Sequence, residues 1–107
     1  MDKPFGSRVR TDTLVATCRL GTTYVSEVAK ILGRRPIEVQ RAVASLELSS
    51  VVTTRRMGTL RIVELNSQFP EYRELAELLS KMSERPIYAE LWKRLRKRPR
   101  AMGKTMP

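Results

Sequence analysis

Between positions 30 and 61 stand Lys30, Arg34, Arg35, Arg41, Arg55, Arg56 and Arg61, seven bases against Glu38 and Glu47, a net of +5. A guanidinium presents a rigid fork of donors that matches phosphate and carboxylate, so such a cluster is suited to holding an anion. Other chemistry is poorly supplied. There is no histidine for acid–base work, and Cys18 is the single cysteine. A Cys/His or Ser/His nucleophile pair, a disulfide and a metal-ligand set are therefore not expected. No glycine-rich loop ends in Lys-Ser or Lys-Thr to cradle a nucleotide phosphate. Glu71, Glu74 and Glu77 recur at the spacing of a solvated helix face. The sequence thus predicts a binding protein rather than an enzyme, with no cofactor.

The whole chain points the same way. Its 107 residues suit one domain, and 41% hydrophobic residues suffice for one core. No apolar run approaches the length of a membrane span, and Met1-Asp2-Lys3-Pro4 lacks the apolar stretch of a secretory signal, so a cytoplasmic protein is expected. Lys and Arg number 21 against 11 Asp and Glu, a net of +10, which favours an anionic partner such as nucleic acid, a membrane surface or the ribosome. The charge is segregated. Residues 62–90 hold three bases and six acids, and no acid follows Glu90, beyond which seven bases lie.

The elements that must position these groups are marked by periodicity and by glycine and proline. A first helix is predicted from about Ser7 to Arg19, with Leu14, Val15 and Cys18 inward and Gly21 ending it. Cys18 is expected to be a buried small hydrophobe. Val25, Val28, Ala29 and Leu32 recur at i, i+3, i+4, i+7 and define a second helix. Gly33 breaks it, and Pro36 suits the first position of a third helix running to about Leu48. That third helix turns Val39, Val43 and Leu46 to one side, and Ile37, Glu38, Gln40, Arg41 and Ser45 to the other. The β-branched stretch 51–56, a turn at Met57-Gly58-Thr59 and Leu60–Leu65 read as a hairpin. A fourth helix is expected from Pro70, with Tyr72, Leu75, Ala76 and Leu79 as its stripe. A fifth is expected from Pro86 and stopped by Pro99, with Tyr88, Leu91, Trp92 and Leu95 as its stripe.

Helix, tight glycine turn, helix and hairpin within about forty residues is the order a helix-turn-helix requires, the first helix bracing the second for entry into a major groove. At Tyr24–Ala29, Leu32-Gly33, Pro36–Leu46 and the hairpin 51–65, the chain resembles winged helix transcriptional regulators of the ArsR/MarR type. The stretch Asn66–Leu79 is similar to winged helix domains associated with minimal nucleotidyltransferases. The resemblance implies a mainly α fold with a β-hairpin, a three-helix core plus a two-stranded wing, and two additional C-terminal helices. It divides the chain into a DNA-binding domain at 1–82, an amphipathic helix at 83–98 and a disordered basic tail at 99–107.

The resemblance also implies roles. Arg34 and Arg35 would stand near phosphate at the entry to the recognition helix. Ile37, Glu38, Gln40 and Arg41, with Ser45, would face the groove, Gln40 suited to adenine and Arg41 to guanine or phosphate. Arg55, Arg56 and Arg61 would carry the wing onto backbone or minor groove. Arg35 stands where such proteins place a Ser or Thr cap, and Ile37 and Glu38 replace small polar residues. Glu38 is therefore expected either to read a cytosine amino group or to bind Arg34 or Arg41. The Tyr88, Leu91, Trp92 and Leu95 stripe is expected to form a homodimer interface. The partner expected is double-stranded DNA. The alternatives are an RNA-binding winged helix module, or an adaptor for a protein partner such as a separately encoded nucleotidyltransferase or toxin.

Overall fold

A computed structural model describes the backbone of residues 7–96 and the side chains of residues 7–93. The expectations for Leu95 and for the basic tail 99–107 lie outside the described side chains and residues. The elements are α1 (Arg8–Leu20), β1 (Thr22–Tyr24), α2 (Val25–Leu32), α3 (Pro36–Leu48), β2 (Val52–Met57), β3 (Leu60–Leu65), α4 (Tyr72–Ser83) and α5 (Pro86–Arg96).

Helix α1 is the axle of the molecule. Ser7 caps it, its Oγ accepting from the Arg10 N–H at 3.1 Å. An amphipathic stripe was expected, but every residue from Thr11 to Thr17 is buried. α2, α3, α4 and the sheet all contact this helix. The threonines tolerate burial partly by bonding to their own helix: the Thr11 hydroxyl donates to the Ser7 carbonyl at 2.9 Å and that of Thr17 to the Thr13 carbonyl at 2.8 Å. Cys18, at the end of this run, is half-buried rather than enclosed, with Sγ 3.7 Å from the Ala76 carbonyl oxygen and from Ser80 Oγ.

The α2–α3 connection follows the sequence closely. Gly33 takes a left-handed φ of +70°, and the Arg34 N–H reaches back to the Ala29 carbonyl at 2.9 Å, closing α2. Pro36 starts α3, where its missing N–H leaves nothing unsatisfied. Val39, Val43 and Leu46 then enter the core beside Leu14, Val15, Val28 and Ile31.

The sheet has three strands, not two. Its order is β1-β3-β2, all antiparallel, with Thr22 opposite Glu64 and Tyr24 opposite Ile62. Tyr24 ends β1 and is at the same time the N-cap of α2. A three-residue strand is too short to show alternation, and only its pairing with β3 defines it. In the hairpin Val52 pairs with Leu65, Arg56 with Arg61 and Met57 with Leu60, so β2 lies one residue later than the predicted 51–56.

Two further corrections concern the C-terminal helices. α4 begins at Tyr72 rather than Pro70. Asn66 first folds the chain into turns, its side-chain oxygen accepting from the Gln68 N–H at 2.9 Å and its carbonyl from the Phe69 N–H at 3.0 Å. α5 packs into the chain's own core. Tyr88 and Trp92 are 5% and 6% exposed, and their rings stack at 6.4 Å. The Trp92 indole N–H donates to the Ser83 carbonyl at 2.7 Å, which satisfies the ring's one polar group. The two rings cover what α1, α2 and α4 leave open, so neither is presented to a second copy. A twin docking on α5 would meet exposed Ile87 and half-buried Leu91 instead. Among the described residues no helix is long and apolar enough to cross a membrane.

Candidate nucleic-acid interface

The outward face of α3 follows from its inward one. With Val39, Ala42, Val43 and Leu46 buried, the residues Ile37, Gln40, Arg41 and Ala44 are exposed, at i, i+3, i+4 and i+7. The sequence reading included the first three. Ala44 was missed, although its spacing from Gln40 and Ile37 carried the signal. Ser45 and Glu38 are half-buried at the flanks.

At the entry to α3 the charges are paired within the molecule. Arg34 lies 3.5 Å from Glu38 and 3.8 Å from Asp12, and Arg35 lies 3.4 Å from Glu38. Glu38 therefore binds Arg34, as one of the expectations had it, together with Arg35 and not Arg41. Asp12 is the hub. Buried in α1, it also receives the Tyr88 hydroxyl at 2.7 Å and Arg8 at 3.4 Å. Burial, then the bond to Asp12 and the charge of Asp12, hold the Tyr88 hydroxyl well above the ordinary tyrosine range. No feature of the sequence pointed to this hub, since Asp12 sits among threonines that face inward for packing. A cavity of about 500 Å³ adjoins it, lined by Arg8, Asp12, Arg34, Glu38 and Tyr88 among others.

The wing distributes its charge differently. Arg55 reaches Glu64 at 3.0 Å, and the Thr22 hydroxyl donates to the same carboxylate at 2.8 Å. The Thr22 bond, helped by Arg55 and opposed by partial burial, holds the Glu64 carboxyl below its usual range. On the other face of the ribbon, Glu47 of α3 accepts from Arg61 at 3.2 Å and from the Thr54 hydroxyl at 2.8 Å. This bracket clips the wing to α3. Arg56 is directly opposite Arg61 and shares that face by strand alternation. Like charges in opposed positions destabilise a hairpin. Glu47 relieves Arg61, whereas Arg56 and Arg41 pair with no carboxylate among the described residues.

Between helix and wing runs a cleft of about 360 Å³ lined by Ser26, Pro36, Gln40, Arg56, Thr59 and Arg61 among others, and none of its lining residues is acidic. Ser26, exposed at the start of α2, was also missed. Nothing in a single serine marks it, and only the packing of α2 beside α3 brings it to the cleft. Among the described residues no group of three or more His, Cys, Asp or Glu side chains could hold a metal ion.

No family model matches the sequence, and no curated protein matches it. Solved structures do match the fold. The adhesin competence repressor AdcR from Streptococcus pyogenes superposes with a TM-score of 0.60 at 14% identity, over 85% of this chain and 66% of that one. A mutant of ZitR from Lactococcus lactis gives 0.59 at 13% identity, over 83% and 59%. The antimony-specific transcriptional repressor AntR gives 0.54 at 15% identity, over 91% and 76%. The fold is a winged helix. The chain spans just under two thirds of AdcR and 59% of ZitR. Within the winged helix, α2 and α3 form the helix-turn-helix, β2 and β3 form the wing, and β1 is the third strand that anchors the wing to the body.

Proposed function

We propose that this winged helix protein binds double-stranded DNA and regulates transcription, with α3 in the major groove and the wing on the adjoining backbone and minor groove. One observation carries the reading. Arg56 pairs with no carboxylate among the described residues and stands opposite Arg61, across an acid-free cleft from Gln40, and Arg41 is exposed one residue on from Gln40. Two opposed guanidiniums cost stability in the free protein, and a phosphate placed between them removes that cost. The outward stripe adds base-reading chemistry: Gln40 matches adenine, Arg41 matches guanine, and Ile37 can meet a thymine methyl. Arg34 also ties the start of α3 to α1 through Glu38 and Asp12. The likeness to AdcR and AntR, both named as repressors, supports the same reading.

The test is selection of a preferred site from a random duplex library, followed by anisotropy titrations across salt. Arg41→Ala should weaken binding to the preferred site by about tenfold or more and to random duplex by less, as loss of a bidentate base contact does. Equal losses on both would reduce Arg41 to a phosphate contact. Failure of the wild-type protein to bind duplex at low ionic strength, or a preference for structured RNA in competition, would overturn the proposal.

A further inference from the structure

The wing bears charge on its stem and hydrocarbon at its tip. Met57 and Leu60 face one another across the strands and are 58% and 38% exposed. Gly58 turns the chain between them with φ +64°, at the position where a two-residue turn takes its glycine, and Thr59 is exposed beside it. A tip serving solvation alone would favour polar residues, and burying these two side chains would be favourable by about 25 cal/mol per Å² covered. Met57 is the more open of the two, and Leu60 turns partly toward the cleft that Gln40 and Arg61 also line. The ribbon cannot fold back, because Glu47 holds its stem to α3 through Arg61 and Thr54.

With α3 in a major groove, a ribbon clipped beside it projects across the phosphate backbone toward the next minor groove. Strands lie about 4.8 Å apart, and a minor groove is only about 6 Å wide. The ribbon body with its arginines is too broad to enter, but two hydrocarbon side chains at its end are not. Just behind the tip, Arg56 pairs with no carboxylate among the described residues and is set to meet a phosphate on the groove wall, while Arg55, on the other face of the ribbon, is held by Glu64 at 3.0 Å yet remains 53% exposed. Their charge makes the flanking surface complementary to DNA rather than to a neutral protein or a basic one.

We propose that Met57 and Leu60 form an apolar wedge that enters the minor groove, presses on the sugar walls and partly unstacks one base step, so that the bound duplex is bent. The inference rests on the duplex-binding reading above. Inserted apolar side chains kink DNA toward the major groove, and pyrimidine–purine steps yield most easily, so the wedge selects such a step without a hydrogen bond to it.

The experiment uses the full chain and a selected duplex carrying donor and acceptor dyes at its ends, with 2-aminopurine at the step under the wing. Wild-type protein should shorten the end-to-end distance and raise the 2-aminopurine emission. Met57→Ser/Leu60→Ser changes only exposed positions. It should bind with about tenfold lower affinity and an unchanged salt slope, because no phosphate contact is lost, and should leave the duplex straight. A duplex that wild type binds without bending, or that both proteins bend equally, overturns the wedge and leaves duplex binding standing. Absence of binding by the wild type overturns both.

Discussion

Two sets of arginines lie around α3, one at its entry and one on its outward side and the wing, and they have different fates. At the entry to α3, Arg34 and Arg35 are neutralised by Glu38 and Asp12, and Asp12 is bonded in turn to Arg8 and Tyr88. On the outward side of α3 and in the cleft, Arg41 and Arg56 respectively pair with no carboxylate among the described residues, and Arg56 faces a like charge. The contrast teaches that arginine content alone does not mark a binding surface. A cation whose partner is internal contributes to folding. A cation left beside another cation lowers the stability of the free protein and favours an anionic ligand.

The comparison breaks most readily at its buried end. Asp12→Ala should lower unfolding free energy in urea by about 2–3 kcal/mol, because it leaves the Tyr88 hydroxyl and two guanidiniums without their shared acceptor. The affinity of the folded fraction for random duplex should change by less than about threefold, since no surface cation is removed. A large loss of affinity with little loss of stability would place the entry cluster in the interface.

Tyr88→Phe sharpens the same end. It should cost about 1.5 kcal/mol near neutral pH, as loss of a hydrogen bond to a charged acceptor does. It should also alter the alkaline limb. The folded Tyr88 hydroxyl ionises above the ordinary value of 10.0. Below that pH both states keep the proton and the contribution is whole. As pH rises past it, the unfolded tyrosine ionises first and stability falls, until the folded group ionises too. Urea midpoints between pH 9 and 11 should therefore fall more steeply for wild type than for the variant, and parallel curves would remove the Tyr88–Asp12 bond from the account.

The smallest expected effect on folding lies at the cleft. Arg56→Ala should leave unfolding free energy unchanged or raise it by a few tenths of a kcal/mol, by removing the opposed like charge. The same variant should lower affinity for every duplex by a similar factor and reduce the salt slope by about 0.9, one phosphate's worth. A destabilised Arg56→Ala would show that this side chain has an internal partner.

Much of the scaffold was legible. Gly33 and Pro36 mark the turn and the start of α3, and the i, i+3, i+4, i+7 pattern of α2 matches its bounds. The hairpin was legible within one residue at β2. What failed needed partners distant in sequence. β1 exists only against β3, some forty residues on, and the aromatic stripe of α5 reads equally as core or interface until α1 and α4 are in place. The α4 start was misread because Pro70 suits a turn as well as a first helical position.

Local spacing alone determined the helices, the wing and the amount of positive charge between residues 30 and 61, since periodicity and turn chemistry act over a few residues. Glu38 meets Arg34 and Arg35 within one helical turn, a local match, but which of the other charges remain available was decided by tertiary structure. Asp12 meets Tyr88 across 76 positions and Arg61 meets Glu47 across 14. Electrostatic neutralisation depends on separation in space, and no local pattern in the chain encodes that separation.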